Sequence, residues 1–252
     1  MKRIFLLIVL IISGCQSPQS EPASITVAAA ASLSDAMNEL NSLYEKEHPN
    51  TNITLNLASS GVLANQIKQG APIDVFVSAS ESHFQSVKKK DLLNPDYQTP
   101  LLKNKLVLIK SRSTNLANFE QLASENVKRV AIGIPETVPA GAYAKQALEF
   151  ANVWETLKEE LIFGKDVRQV LTYVETGNAD AGIVYETDYR SSKNVDFVEE
   201  VPEQAYSPII YPAGVVRGAR EEATNYYTFL QSKEAKAIFE SYGFQSDVSA
   251  ND

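Results

Sequence analysis

Ile25-Thr-Val-Ala-Ala-Ala-Ala-Ser-Leu-Ser-Asp35 is the stretch whose reading decides the fold. Ile25, Thr26 and Val27 are β-branched or apolar and open a run that suits a strand buried on both faces. Ala28 to Ala31 follow, with side chains small enough for the backbone to approach a neighbour closely. Ser32, Ser34 and Asp35 then supply hydroxyls and a carboxylate where a helix should begin. Met37, Leu40, Leu43 and Tyr44 recur at three- and four-residue spacing, which gives one apolar helical face. The unit reads as strand, tight turn, helix. Free backbone N–H groups at such a helix start, with hydroxyls beside them, can hold an anion. The same residues also suit a packed Ala-rich turn that binds nothing.

Working outward, the pattern repeats. Ile53 to Ala58 alternates as a strand and runs into Ser59-Ser60-Gly61. Val62, Leu63, Gln66 and Ile67 then mark a short helix ending at Gly70. Asp74 to Ser80 reads as a third strand, followed by a helix from about Glu81 to Lys90. Leu106 to Ile109 and Val130 to Ile134 are further strands. The loop Pro135 to Gly141 feeds a helix from about Ala140 to Phe150, and Pro139 suits its first turn, where no N–H is needed. Val153 to Leu161 reads as helical too. Asp166 is a good N-cap for a helix carrying Val167, Val170, Leu171 and Val174 on one face. That helix stops at Gly177. Ala181 to Tyr185 is a buried strand ending on a tyrosine, Ile209 to Val216 is another, and helices over about 220–231 and 232–242 close the chain. Strands alternating with helices predict an α/β fold with mostly parallel sheets. Ligands of such sheets sit beyond the carboxyl ends of the strands, where Ser32 and Ser60 fall.

The ends of the chain say where it works. Met1-Lys2-Arg3 is basic, and the nine apolar residues Ile4 to Ile12 are too few to span a bilayer. They read as a signal-peptide core, ending in Ile12-Ser13-Gly14-Cys15. This run resembles the lipobox of bacterial lipoproteins, in which the cysteine becomes the lipidated first residue. Residues 1–14 are then the signal peptide, Cys15 the lipid anchor and 15–23 a polar tether. Cys15 is the only cysteine, so there is no disulfide framework and no Cys-based metal site. Removing Lys2 and Arg3 with the leader leaves 21 basic residues against 31 acidic ones, a net charge of −10. Such a surface is a poor nucleic-acid binder. Lys88-Lys89-Lys90 is the one basic run, placed at a helix end where lysines suit the dipole. No internal repeat, heptad run or low-complexity block stands out.

Four helix starts carry small or hydroxyl residues at their first turn, near Ser32, Ser60, Ala140 and Val167. None is a cluster of cations, although Lys165 and Arg168 flank one. A site built from these ends is neutral and rich in donors, and it suits a small, fully ionised oxyanion. Enzyme signatures are missing: there is no G-x-S-x-G, no Walker loop and no H-E-x-x-H. His48 and His83 read as surface residues without a second histidine at ligand spacing.

Six stretches together resemble the periplasmic molybdate-binding proteins, the receptors of molybdate ABC importers. They are Ala29-Ala-Ala-Ser-Leu33, Ala58-Ser-Ser60, Gly70-Ala-Pro-Ile-Asp-Val-Phe-Val-Ser-Ala79, Val138-Pro-Ala-Gly-Ala-Tyr-Ala-Lys145, Asp166-Val-Arg168 and Gly182-Ile-Val-Tyr185. The likeness covers nearly the whole mature chain and implies a two-lobed, type II periplasmic-binding-protein fold with the ligand in the interlobe cleft. Residues 24–103 and 208–252 would form lobe I, and residues 104–207 lobe II. It also implies that Ser32 and Ser60 hold the oxyanion through hydroxyl and backbone N–H, Ala140 and Val167 through backbone N–H alone, and Tyr185 through its phenol. Gly61 stands where some relatives carry a third serine, so the contact stays open between Ser59 and Ser60. The resemblance further implies a binding protein rather than an enzyme, with molybdate or tungstate as ligand and no cofactor. Molybdenum would be present only within the oxyanion, with no direct protein–metal bond. The implied partners are the membrane permease of an ABC importer and the membrane itself, through Cys15; no nucleic acid is implied, and the protein is expected to be a monomer. A receptor for sulfate or phosphate, or a surface enzyme on the same fold, are the alternatives.

Overall fold

The computed structural model describes residues 22–248. Cys15, the leader and most of the tether lie outside the described residues. The chain begins with β1 (Ala23–Ala30), a 3-10 turn over Ala31–Leu33 and α1 (Ser34–Glu47). Next come β2 (Thr51–Ala58), α2 (Ser60–Lys68), β3 (Val75–Val77), α3 (Glu81–Lys88) and β4 (Leu93–Asn104). The middle of the chain holds β5 (Leu106–Ser111), β6 (Val130–Gly133), α4 (Pro139–Phe150), β7 (Leu161–Gly164), α5 (Val167–Glu175), β8 (Ala181–Tyr185), α6 (Glu186–Ser191) and β9 (Val195–Glu200). It ends with β10 (Ile209–Val216), α7 (Glu221–Phe229) and α8 (Lys233–Ser241).

Two five-stranded sheets result, in the orders β2-β1-β3-β10-β4 and β7-β6-β8-β5-β9. They share one design. In each, three strands joined through helices run parallel, and the last two pairs are antiparallel. The mostly parallel sheet expected from the strand–helix alternation is therefore parallel over only half its pairs. The antiparallel half arises because the chain crosses between sheets: β4 leads directly from the first sheet into β5 of the second, and β10 returns from the second into the middle of the first.

β1 explains the Ala run. Its neighbours β2 and β3 pair with it in parallel on either side, and both faces are covered. Ile25, Val27 and Ala29 pack with Met37, Leu40 and Tyr44 of α1, whereas Ala28 packs against Leu63, Phe76 and Phe84 on the other side. Period-two alternation sends successive residues to opposite layers, so a strand buried on both faces cannot show a polar side.

Several expectations change. Residues 154–160 are turns, and Leu161 belongs to β7 instead of a helix. Asn152 adopts a left-handed conformation (φ 57°) just after α4, which ends that helix and turns the chain toward β6. β4 and β9 had no counterpart in the pattern. β4 contains Pro95 and Pro100, which a strand tolerates at a sheet edge, and β4 is an edge strand. His83 is half-buried, not a free surface residue, and burial lowers its pKa.

Candidate functional site

All five residues expected to hold a ligand line one small cavity. Ser32, Ser59 and Ser60 form one wall, and Ala140, Val167 and Tyr185 the other. Each stands at the carboxyl end of a parallel strand or in the first turn of the following helix. Ser32 lies in the turn after β1, Ser60 opens α2 after β2, and Tyr185 ends β8. Ala140 and Val167 sit in the first turns of α4 and α5, where N–H groups have no intrahelical acceptor. The approach of α4 depends on Gly141, because a Cβ there would lie 2.0 Å from the carbonyl oxygen of Gly133 in β6.

Two of the three hydroxyls of the first wall are held by the protein. Ser60 Oγ accepts the backbone N–H of Ala79 at 2.8 Å, and Ser32 Oγ lies 3.0 Å from the phenol oxygen of Tyr211. Ser59 is the N-cap of α2, yet its hydroxyl caps nothing and is buried without a partner. On the second wall the phenol of Tyr185 is 1% exposed, and its oxygen has no hydrogen-bond partner. Burial holds its pKa well above that of an ordinary phenol, so it keeps its proton. A buried hydroxyl without a partner costs stability, and an acceptor placed in the cavity would relieve that cost.

Two carboxylates are near, Asp166 in the cavity lining and Asp35 beside it, and each has an oxygen engaged by the protein. Asp166 caps α5 by accepting the N–H of Gln169 at 2.8 Å. Asp35 stands in the first turn of α1, as expected, and its carboxylate also accepts Arg168 Nη2 at 2.6 Å, across from one lobe to the other. Arg168 Nε lies 2.9 Å from Asp188 Oδ1, and its Nη1 donates to Ser191 Oγ at 2.9 Å. Asp188 is fully buried, and burial pushes its carboxyl up to about 7 against the pull of Arg168. A second direct contact crosses the cleft where the Gly61 N–H donates to the carbonyl of Thr137 at 3.0 Å. A Cβ at position 61 would meet that oxygen at 2.6 Å, so the close approach requires glycine.

Tyr211, Asn104 and Asp188 were not singled out from the sequence. Tyr211 sits inside the apolar run of β10, 179 positions from Ser32, and no local pattern links the two. Among the described residues no group of His, Cys, Asp or Glu side chains could hold a metal ion, and no helix is long and apolar enough to cross a membrane.

Two sheets of like topology, with polar groups from both converging on one cavity, form the arrangement of a receptor for a small solute. The chain matches the family of bacterial extracellular solute-binding proteins over residues 25–245 and belongs to it. That family serves transport and is not a family of enzymes. The chain is 37% identical over 243 residues to the molybdate-binding protein ModA of Haemophilus influenzae, covering 94% of this chain and 96% of that one. It is 44% identical over 248 residues to YvgL of Bacillus subtilis, named as a proposed ABC transporter substrate-binding lipoprotein, with 94% of each chain covered. The solved periplasmic molybdate-binding protein of Azotobacter vinelandii has the same fold, with a TM-score of 0.79 at 22% identity over 87% of this chain and 98% of that one. The resemblance first drawn from six short stretches thus extends over the whole domain.

Proposed function

We propose that this protein captures molybdate, or equally tungstate, outside the cytoplasm and hands it to the permease of an ABC importer. One observation carries the reading. The phenol of Tyr185 is buried, protonated and without a partner in a cavity whose other polar groups are hydroxyls, helix-start N–H groups and the capping residue Asp166. Of the neighbouring carboxylates, Asp35 Oδ2 is engaged by Arg168 and Asp166 Oδ1 by the Gln169 N–H, which ties one oxygen of each to the protein. Such a shell fits an anion with acceptors on all sides and no proton of its own. Ser32, Ser60, Ala140, Val167 and Tyr185 are its contacts. Ser60 is preferred over Ser59, because its oxygen is occupied by the Ala79 N–H and its proton is free for the ion.

Binding contacts from both lobes would favour the closed form, with residues 24–103 and 208–252 as one body and 104–207 as the other. The chain acts as a monomer and needs no cofactor. Calorimetric titration with molybdate, tungstate, sulfate and phosphate tests the reading. Molybdate and tungstate should bind alike and far more tightly than the other two, and sulfate or phosphate binding as tight as molybdate would overturn it. The membrane anchor is Cys15, lipidated after cleavage; two or more acyl chains hold stably where one does not. A Cys15→Ser protein should leave the membrane fraction, and one that still pelleted with membranes would refute the anchor.

A further inference from the structure

Behind the cavity wall lies a buried polar chain that reaches Ser32 by a hydrogen bond and Tyr185 by a tilted ring contact, 5.8 Å between centroids. Asn104 ends β4 at the crossing between the two sheets. Its Oδ1 accepts the backbone N–H of Lys105 at 2.9 Å, which fixes the orientation of the amide. Its Nδ2 therefore faces the other way and donates to Thr187 Oγ1 at 2.9 Å and to the phenol oxygen of Tyr211 at 3.2 Å. Tyr211 is 0% exposed, and its ring is wedged edge-on against Phe244. A phenol has one hydrogen. With Asn104 donating to its oxygen, that hydrogen is left for an acceptor, and Ser32 Oγ stands 3.0 Å away.

The consequence reaches the cavity. Once Ser32 Oγ accepts from Tyr211, its own hydrogen is turned away from Tyr211 and is free for a ligand. Ser60 is set in the same way, because the Ala79 N–H occupies its oxygen. A serine with no such partner rotates and serves as donor or acceptor as needed. Burial raises the pKa of Tyr211, so the phenol keeps the proton that it donates.

We propose that Asn104 and Tyr211 form a relay that commits the Ser32 hydroxyl to donation, and that this relay is a specificity determinant against oxyanions still carrying a proton. The inference rests on the oxyanion reading above. A monoprotonated ion would turn its O–H toward a hydroxyl already committed to donating, leaving two hydrogens facing each other and a buried donor without an acceptor. Tyr211 and Asn104 are positioning residues, since neither contacts the ion.

The test compares sulfate with phosphate at mildly alkaline pH, where phosphate is mainly the monoprotonated dianion, so the two probes share their charge and differ by one proton. Calorimetry on the wild-type protein gives the sulfate-over-phosphate preference and the affinity for molybdate. In Tyr211→Phe, Ser32 Oγ loses its donor and can accept from the ligand. The sulfate-over-phosphate preference should fall roughly tenfold, the order expected for one charge-assisted hydrogen bond. Asn104→Asp keeps the side-chain shape but accepts from Tyr211, which redirects the phenol hydrogen away from Ser32. It should lower the preference in the same direction with the tyrosine ring in place. A loss of affinity by the same factor for sulfate and phosphate in both variants would make Tyr211 a packing residue only and overturn the relay, as would an unchanged preference. Both ratios are taken on folded protein and are insensitive to any loss of stability. A wild-type protein that bound none of the ions would overturn the oxyanion reading, and the relay with it.

Discussion

The two walls of the cleft solve the same problem differently. On the first lobe, the hydroxyls of Ser32 and Ser60 are already bonded within the protein, to Tyr211 and to the Ala79 N–H. On the second, Ala140 and Val167 offer helix-start N–H groups, and Tyr185 offers a phenol with no partner at all. In the proposed site, Ser32 and Ser60 are therefore set before the ligand arrives, while Ser59 beside them keeps a hydroxyl without a partner. The second wall carries a polar group whose satisfaction waits for the ligand. A charge-assisted hydrogen bond from a buried group is worth roughly 1.5–3 kcal/mol, so the second wall has most to gain from binding.

That difference can be broken by mutation. Tyr185→Phe should show the largest effect, a loss of about one to two decades in molybdate affinity. Melting temperature without ligand should hold steady or rise, because the variant deletes a buried hydroxyl that has no partner. The ligand-induced rise in melting temperature should shrink. Wild-type affinity in this variant would mean that the phenol is only a core aromatic.

Ser60→Ala and Ser32→Ala should each weaken molybdate by about tenfold and, unlike Tyr185→Phe, lower the melting temperature of the unliganded protein. Each strands a buried donor, the Ala79 N–H or the Tyr211 phenol. Thermal melts with and without molybdate separate the two losses, and serine variants as stable as wild type would erase the contrast between the walls.

The contact between the walls is the next target. Asp35 and Arg168 meet at 2.6 Å across the cleft with side chains 44% and 26% exposed. A pair that open to solvent contributes about 1 kcal/mol or less. Asp35→Asn should speed molybdate release by roughly two- to fivefold at low salt, with the gap to wild type closing as salt rises. Slower release in stopped-flow exchange would mean that Asp35 acts mainly by repelling the dianion.

The smallest effect is a slope. Asp188 has its carboxyl raised from 3.8 to about 7, with burial the largest cause and Arg168, Asp35 and Asp166 the charged neighbours. The folded chain therefore holds this proton more tightly than the unfolded chain. Stability from this group is full below about pH 4, falls as pH rises toward 7, and is level above that. Asp188→Asn should remove that decline from denaturant midpoints measured across pH, and parallel profiles would show that Asp188 does not titrate in this range.

Much of the fold was legible because burial on both faces leaves a plain mark. Ile25–Val27, Ala181–Tyr185 and Ile209–Val216 are apolar runs bounded by turn residues, and each is a strand. The capping role of Asp166 was legible too, since capping is a contact between residues three apart. β4 was hidden by its prolines, and Val153–Leu161 looked helical because nothing local announces the turn at Asn152. The repeated topology of the two sheets is invisible in the chain, in which the strand–turn–helix pattern recurs but no internal sequence repeat stands out. Topology constrains only where apolar faces must go, and many sequences meet that demand.

By itself, the order of residues determined the strand–turn–helix units, the acidic and cysteine-poor character of the mature chain, and the presence of small or hydroxyl residues at four helix starts. These are local properties, written within a few residues of one another. Only the tertiary structure decided that Ser32, Ser60, Ala140, Val167 and Tyr185 share one cavity. It alone settled that Asp35 turns to Arg168, and that Tyr211 stands behind Ser32 with Asn104 behind it. Such contacts join residues more than a hundred positions apart, and their direction depends on which lone pairs and hydrogens are already taken. That accounting exists only once the chain has closed on itself.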